Sequence, residues 1–308
     1  MRELFIYIVF PGFLFTAALG MMASWLDRKI TARIQWRVGP PWYQSFADIM
    51  KLLAKETVMP RGCSRETFII APIVGFAGVT LVSSILGVVN LDPRRGFVGD
   101  LIVVIYLLAL PSLALILGGA ASRNPLASLG VSREMKLLLA YELPFILAAF
   151  TVVVKAGITI NLGEIIAFQH THGPLLRNAS CILAFVAALL CVQAKLGLVP
   201  FDIAEAETEI NAGPLIEYSG PLLALFRLTK MMMLVAVPFF LIALFGGGVE
   251  FHGWGIAWSC VKYLLVLLVI TVIRNTNPRI RIDQAVKFFW GPVTLIAGAA
   301  ALLALGGY

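Results

Sequence analysis

The sequence predicts an all-α integral membrane protein with about eight transmembrane helices. Of its 308 residues, 60% are hydrophobic and only 13% are charged, whereas soluble domains are about 45–50% apolar. Nearly uncharged stretches recur from one end of the chain to the other, and most reach the ~20 residues that a spanning helix needs. We therefore predict a single polytopic membrane domain over residues 1–308. The composition excludes an ordinary soluble domain.

Eight stretches with no charge, or with only one or two charged residues, are long enough, or nearly long enough, to span a bilayer as helices. They are residues 4–26, 67–91, 101–122, 135–154, 179–194, 231–249, 253–273 and 288–307. The fifth is short, and we expect it to continue through Lys195 towards Pro200. The seventh is interrupted by Lys262. Residues 219–230 are expected to form the first turns of the sixth helix.

Basic residues are divided unequally between the two sides of the predicted membrane domain. Three quarters of the 24 Lys and Arg residues lie in loops after odd-numbered spans, namely residues 28–65, 123–136, 195–230 and 274–287. The positive-inside rule places these loops in the cytoplasm and both termini outside. The net charge of +7 is therefore interpreted as orientation charge rather than as a nucleic-acid-binding surface.

An acidic segment, residues 195–230, stands out between two apolar stretches. It contains five of the 17 carboxylates: Asp202, Glu205, Glu207, Glu209 and Glu217. Ionisable groups at a bilayer are costly, which makes them candidates for proton relays or ion pathways. The i, i+3, i+7 spacing of Asp202, Glu205 and Glu209 predicts that they share one helix face. Gly213-Pro214 is expected to break this helix before Glu217.

A further carboxylate, Glu142, lies inside the fourth predicted span. It stands about two turns, roughly 9 Å at 1.5 Å per residue, beyond Lys136. The alternative to an interior position is a side chain that snorkels to the membrane surface, but Glu is too short to reach that far. We therefore favour an interior-facing Glu142 with a functional role.

The first predicted cytoplasmic loop is rich in basic residues. Lys29, Arg33 and Arg37 recur at every fourth position, which predicts one face of a helix. Residues 46–56 have the pattern of an amphipathic helix, apolar on one side and charged on the other. Such a helix either lies in the membrane interface or docks a cytoplasmic protein, and the sequence leaves both interpretations open.

The last predicted cytoplasmic loop, residues 274–287, alternates charged and apolar positions. It either carries simple orientation charge or pairs Arg279, Arg281 and Asp283 with the acidic segment. Both loops together supply the residues that we predict to dock a cytoplasmic partner. These are Arg28, Lys29, Arg33, Arg37, Asp48, Lys51, Arg279, Arg281 and Asp283.

The four cysteines, Cys63, Cys181, Cys191 and Cys260, occur singly. Without a C-x-x-C motif they predict neither a disulfide framework nor an iron–sulfur site. We expect no cofactor or metal to be bound by this chain itself, and no catalytic centre of its own.

The stretch Pro200–Glu209, which reads PFDIAEAETE, and the following Glu217-Tyr-Ser-Gly resemble the signature of the NADH-quinone oxidoreductase subunit 1 family of respiratory complex I. This family also includes the membrane anchor subunits of energy-converting nickel–iron hydrogenases. Further similar stretches follow in the family's order and cover nearly the whole chain. They are Arg37-Val-Gly-Pro, residues 47–56, Ala140-Tyr-Glu142 and Arg279–Gln284.

The departures from the quinone-linked members favour the hydrogenase-type branch, which includes formate hydrogenlyase. Quinone-linked members usually carry a Gly-Pro-Asn-Arg loop, where this chain has Gly39-Pro-Pro-Trp42. They also tend to have Arg shortly before Pro-Phe-Asp, where Val199 stands here, and Gly-Phe-Asn-Val-Glu-Tyr where this chain reads GPLIEY at residues 213–218. These differences put quinone binding in doubt.

The resemblance implies a membrane anchor in a prokaryotic cytoplasmic membrane. Its expected partners are hydrogenase-like large and small subunits, a ferredoxin-like iron–sulfur subunit and antiporter-like membrane subunits. The nickel–iron centre and the iron–sulfur clusters would belong to those partners. The chain would link ferredoxin-dependent electron transfer to proton or sodium translocation. The resemblance assigns the proton path to Glu142, Asp202, Glu205, Glu207, Glu209 and Glu217.

Two other functions remain open at the level of the sequence. One is the quinone-site subunit of a complex I-type oxidoreductase, which would differ in its cytoplasmic partners and in the chamber around residues 33–44. The other is a stand-alone ion-coupled secondary transporter. Such transporters often contain paired internal repeats, and the chain has no second copy of the acidic segment. This absence counts against the transporter.

Overall fold

The chain folds into helices, as the sequence predicts. A computed structural model describes the backbone of residues 2–307 and the side chains of that range except 2–4, 207 and 208. It is 75% helical, and the described residues contain no strand. The α-helices are α1 (Arg2–Ile8), α2 (Phe13–Ile34), α3 (Gln44–Leu53), α4 (Arg65–Leu91), α5 (Asp100–Leu107), α6 (Leu110–Ala121), α7 (Pro125–Lys155), α8 (Leu162–His172), α9 (Ala179–Lys195), α10 (Glu207–Ile210), α11 (Gly220–Phe245), α12 (Trp254–Thr276), α13 (Ile282–Phe288) and α14 (Thr294–Leu305).

Seven helical stretches among the described residues are long and apolar enough to cross a membrane. They are Phe5–Ile34, Arg65–Leu91, Asp100–Ala121, Pro125–Lys155, Gly220–Phe245, Trp254–Thr276 and Ile282–Leu305. The apolar helix α9 is shorter, with 17 residues, and corresponds to the fifth predicted stretch. The all-α membrane class is therefore confirmed, and residues 220–230 do form the first turns of the sixth predicted helix.

Helix α7 begins at Pro125, well before the predicted residue 135. The side chain of Asn124 caps it by accepting a hydrogen bond from the backbone N–H of Leu126 at 2.9 Å, and proline suits the first helical position. Residues that the sequence reading placed in a loop thus belong to the helix. Glu134 is the important one, because it is buried there.

Helix α2 continues past the predicted end of the first span to Ile34. Lys29 and Arg33 lie on this helix, but Arg37 does not, because Trp36 adopts a left-handed conformation with a φ of 58°. The prediction of one basic helix face that includes Arg37 is wrong. The amphipathic helix that follows is confirmed as α3, although its outward face also carries apolar residues such as Phe46 and Met50.

The loops that the sequence assigned to the cytoplasm meet at one end of the helix bundle, which we call the basic end (residues 35–64, 122–124, 196–219 and 277–281). Hydrogen bonds from backbone N–H groups join these loops to one another and to the end of α6. The N–H of Ser64 donates to Ala121 O at 3.1 Å, that of Val58 to Ser219 Oγ at 3.0 Å, and that of Ile280 to Pro200 O at 3.3 Å. The odd-numbered spans therefore emerge on the same side.

Helix α11 lies at the centre of the bundle, with Met232, Val237 and Phe240 wholly buried. It approaches α2 closely, since a Cβ at Gly20 would lie 2.7 Å from the carbonyl oxygen of Met231. Small residues permit such close helix packing inside a membrane. Helices α7 and α9 pack against each other beside α11, and α14 packs on both. This arrangement positions the polar side chains described next.

Candidate functional site

The acidic segment is irregular over most of its length. Residues 196–206 form no helix, and only Glu207–Ile210 form the short helix α10. The predicted shared helix face of Asp202, Glu205 and Glu209 is therefore wrong. The expected continuation of α9 towards Pro200 does not occur, because α9 ends at Lys195 and Gly197 is left-handed, with a φ of 59°. The side chain of Glu207 lies outside the described residues.

The helix break expected at Gly213-Pro214 comes two residues earlier. Asn211 and Ala212 are left-handed, with φ of 58° and 77°. Pro214 then rests on α6 and α7 at two glycines. A Cβ at Gly130 would lie 2.6 Å from Pro214 Cδ, and one at Gly119 would lie 2.9 Å from Pro214 Cβ. The acidic segment is thus seated directly on the two helix backbones.

The end of the acidic segment is fixed to α4 and α7. The ring of Tyr218 stacks on Phe68 with centroids 4.1 Å apart, and its hydroxyl donates to Phe68 O at 3.0 Å. Burial raises the pKa of Tyr218, which keeps the hydroxyl a neutral donor. Glu217 accepts a hydrogen bond from Asn124 Nδ2 at 2.5 Å. These contacts hold this part of the segment in place at the basic end.

Carboxylates of the acidic segment pair with cations from other elements. Glu205 lies 2.7 Å from Lys230 of α11, Asp202 lies 3.0 Å from Arg279, and Glu209 lies 2.6 Å from Arg133 of α7. The predicted pairing of the last loop with the acidic segment is confirmed for Arg279. It is wrong for Arg281 and Asp283, which pair with each other at 3.8 Å.

Glu142 faces the interior and pairs with Lys195, the last residue of α9. Lys195 Nζ lies 2.7 Å from Glu142 Oε1, and the side chains are 0% and 21% exposed, respectively. The ammonium also lies 5.1 Å from the ring centroid of Tyr141 and 4.9 Å from that of Phe145, where an aromatic face stabilises a cation. The interior position of Glu142 is confirmed, and Lys195 is a partner that the sequence reading did not identify.

Glu134, also missed from the sequence, stands between Glu142 and the acidic segment. Glu134 is only 7% exposed, and it lies about two helical turns before Tyr141 and Glu142 on α7. Ser112 of α6 hydrogen-bonds with Glu134 and lies 3.3 Å from the Tyr141 hydroxyl. Asp202, Glu205 and Lys230 all lie within electrostatic range of Glu134. The Asn124-Pro125 cap was the sequence signal that could have placed Glu134 on this helix.

A second buried ion pair joins α2 to α12. Asp27 is 5% exposed, and it accepts hydrogen bonds from Arg274 at 2.5 Å and from the Thr271 hydroxyl at 2.9 Å. The sequence reading treated Asp27 as the start of a loop. A nearby amide on α9, Gln193, donates to Ile270 O at 3.3 Å and to Val199 O at 2.7 Å. It connects this polar region to the helix that carries Lys195.

The predicted docking residues fall into two groups. Some are engaged within the chain: Arg28 pairs with Asp48 at 3.2 Å, and Lys29 donates to Val38 O at 2.9 Å. These contacts join α2 to α3 and the loop between them. The remaining members of the first loop are exposed and form no ion pair within the described part of the chain; they are Arg33, Arg37 and Lys51.

Comparison with known proteins identifies the family. Residues 6–305 match the family model described as NADH dehydrogenase. The chain belongs to this family. It is 34% identical to the H subunit of the NADH-quinone oxidoreductase of Geobacillus kaustophilus, over 86% of this chain and 82% of that protein. It is 31% identical to the corresponding protein of Bacillus thuringiensis, over 97% and 93% of the two chains.

A solved structure extends the comparison to three dimensions. One chain of the membrane-bound sulfane sulfur reductase, an archaeal respiratory membrane complex, superimposes with a TM-score of 0.88. The two chains are 31% identical, and the match covers 98% of each. The resemblance to the complex I family is confirmed, and this match supports the hydrogenase-type branch of the family.

The environment of Asp202 predicts an unusual titration. Burial raises the pKa of this carboxyl and Glu205 raises it further, while Lys230 and Arg279 act in the opposite direction. Because the native pKa lies above the unfolded one, Asp202 favours the folded state most at low pH. That contribution is lost as the pH rises through the native pKa.

We expect an infrared titration of the purified protein to show a carboxyl C=O band that Asp202→Asn removes. Its midpoint should lie above the value of about 3.9 that is usual for Asp. Arg279→Gln should move the midpoint further up, because the guanidinium stabilises the ionised form. A band removed by Asp202→Asn that titrates at or below the usual value would contradict this account.

Proposed function

We propose that the chain is the membrane anchor and ion-coupling subunit of a multisubunit, hydrogenase-like respiratory complex. Ferredoxin-linked electron transfer would take place in soluble subunits on the basic end, which carry the nickel–iron centre and the iron–sulfur clusters. The partners are hydrogenase-like large and small subunits, an iron–sulfur subunit and antiporter-like membrane subunits. The match to an archaeal respiratory membrane complex over nearly the whole chain supports this proposal.

The observation that carries the coupling role is the buried Glu142–Lys195 pair. Ionisable residues inside a membrane are expensive and usually mark proton relays or ion pathways. Here the pair is connected towards the basic end through Tyr141, Ser112 and Glu134. The next groups are those of the acidic segment, whose carboxylates pair with Lys230 and Arg279. Together these side chains extend from the basic end of the bundle to its interior.

Coupling then requires that the redox reaction in the partner subunits changes the proton affinity of these side chains. The acidic segment is the element suited to transmit the change, because its irregular backbone lies at the basic end and its carboxylates contact α7, α11 and the last loop. A shift of the segment would lengthen or shorten the ion pairs of Asp202 and Glu205. A carboxylate holds its proton more tightly when its cationic partner withdraws. Protons would therefore move as the partner subunit cycles.

The names of the relatives favour a second candidate, a quinone-site subunit, since they are NADH-quinone oxidoreductase subunits. The loop at Gly39–Trp42 departs from the pattern of the quinone-linked members. Bound quinone in a complex isolated in mild detergent would support this second candidate. Nickel together with iron–sulfur clusters, without quinone, would support the hydrogenase-type function. Membership of the family argues against a stand-alone transporter.

The basic end should face the cytoplasm and carry the soluble subunits. We expect a cysteine at position 38, where Val38 is 79% exposed, to react with an impermeant maleimide in inverted vesicles only after peripheral subunits are stripped. A cysteine at His170, exposed on α8 at the opposite end, should not react in either case. Cys63 and Cys260 are replaced by Ala in both variants.

Two results of the labelling would contradict the proposal. The proposed orientation places position 170 in the lumen of inverted vesicles, out of reach of the maleimide. Reaction at this position in sealed inverted vesicles would therefore show that the protein has the opposite orientation. Reaction at position 38 before stripping would show that no partner subunit covers the basic end. The exposed residues Arg33, Arg37 and Lys51 would then be interfacial rather than docking residues.

Glu142 should be essential for coupling but not for electron transfer. We expect Glu142→Gln to abolish the ion gradient formed in sealed vesicles, because Gln keeps the size and polarity of Glu but cannot titrate. Glu142→Asp should retain part of the gradient. Glu164→Gln is the matched control, since Glu164 bonds to Thr159 at the opposite end of the bundle and should leave the gradient unchanged.

The measurement compares gradient formation with electron transfer from an artificial donor in detergent. Because removal of one partner of a buried ion pair costs about 3–5 kcal/mol, each variant is first tested for assembly by copurification. Normal coupling in Glu142→Gln would contradict the proton-path role. Loss of the assembled complex in both Glu142 variants would assign the residue a structural role instead.

A further inference from the structure

Four carboxylates of the proposed path are electrically neutralised by side chains of the same chain. In the described part of the chain, Glu142, Asp202, Glu205 and Glu209 each pair with one Lys or Arg. The deepest of these cations is Lys195, whose side chain is 0% exposed. A row of unpaired carboxylates would attract any small cation. A row of ion pairs has no net charge and does not attract cations. This difference affects which ion can pass along the path.

The surroundings of Lys195 are unsuited to a metal cation. Hard cations such as Ca²⁺ and Mg²⁺ are held by several oxygen ligands, and Na⁺ has the same preference for oxygen. Lys195 Nζ is faced by one Glu142 oxygen at 2.7 Å and by the aromatic faces of Tyr141 and Phe145 at about 5 Å. The ammonium occupies the place next to Glu142 that a metal ion would need. A fixed positive charge in a narrow path is also an electrostatic barrier to cations.

A proton can pass where a metal ion cannot, because Lys and Glu can exchange one directly. We propose that Lys195 is the specificity-determining residue of the path, which restricts it to protons by carrying the proton itself. This inference rests on the proposed coupling function. In the transfer step an N–H bond of the ammonium breaks and an O–H bond forms at Glu142 Oε1. The products are a neutral amine and a neutral carboxyl.

The cycle is completed by two further proton movements. The Glu142 carboxyl, whose side chain is 21% exposed, releases its proton to a water molecule on its exposed side and becomes a carboxylate again. The neutral amine of Lys195 accepts the next proton that arrives along the path, and the ion pair is restored. No net charge accumulates on the pair, and no group other than the transported proton is consumed.

The ion specificity is tested with the whole complex in sealed vesicles. Turnover with the native donor should generate a membrane potential in a choline medium free of Na⁺, and a protonophore should dissipate it. A potential that forms only with Na⁺ would overturn the proposal. In that case a Glu142→Gln variant that still loses the potential would leave the coupling function standing, whereas one that couples normally would refute both.

Substitutions of Lys195 separate a proton carrier from a fixed counter-ion. Lys195→Arg keeps the positive charge but cannot be deprotonated in a protein, and Lys195→Met removes the charge. We expect both to lower the rate of charge translocation, relative to that of electron transfer, by about a hundredfold or more, the lower end of the range for positioned proton-transfer groups. Normal coupling in Lys195→Arg would show that only the charge matters and would overturn the proposal.

A matched control completes the test. Lys262→Met is the control, since Lys262 is a lysine within α12 that donates to the backbone carbonyls of Gly246 at 2.7 Å and Gly248 at 3.3 Å. It should couple normally once assembled.

Discussion

The free-energy cost of a charge inside a bilayer is the constraint on which this structure depends. An unpaired buried ion is strongly unfavourable, whereas a close pair with satisfied hydrogen bonds can be accommodated. Lys195 and Asp27 are buried and Glu142 is 21% exposed, all three within or beside spanning helices, and each has an opposite charge within 2.7 Å. These pairs fix which helices are neighbours. The Glu142–Lys195 pair ties α7 to α9, and the Asp27–Arg274 pair ties α2 to α12.

The acidic segment is tolerated for a related reason. Irregular backbone near the membrane must be satisfied by protein rather than by lipid. Here the segment lies against the glycines of α6 and α7, and Tyr218 locks its end onto α4. The same contacts that satisfy the backbone place its carboxylates beside Arg133, Lys230 and Arg279. The same ion pairs therefore hold the segment in place and, in the proposed function, transmit its movement to the proton path.

Hydropathy was sufficient to predict the membrane class and the approximate position of each spanning helix, because length and apolar composition determine both. Helix ends were less predictable. The start of α7 depended on a local cap at Asn124-Pro125, and overlooking it left Glu134 in a loop. The acidic segment was predicted as a helix from charge spacing alone, whereas residues 196–206 form no helix and the short α10 ends at the left-handed Asn211.

Apart from Arg279, for which the sequence suggested a partner in the acidic segment, the ion-pair partners could not be read from the sequence. Lys195 is 53 residues from Glu142, Lys230 is 25 from Glu205, and Arg274 is 247 from Asp27. Which of these residues meet is decided by helix packing, and packing is a property of the assembled bundle rather than of any local pattern. Sequence reasoning found the carboxylates because charge in an apolar chain is conspicuous. It could not show that Glu142, Asp202, Glu205 and Glu209 each pair with a Lys or Arg.

The central claim is that Glu142 changes its protonation state as the redox partner cycles. Redox-induced infrared difference spectroscopy on the intact complex measures this directly. The account predicts a protonated-carboxyl C=O band that appears or disappears between the oxidised and reduced states and that is absent from the Glu142→Gln complex. A difference spectrum whose carboxyl bands are identical in the wild type and in Glu142→Gln would contradict the claim.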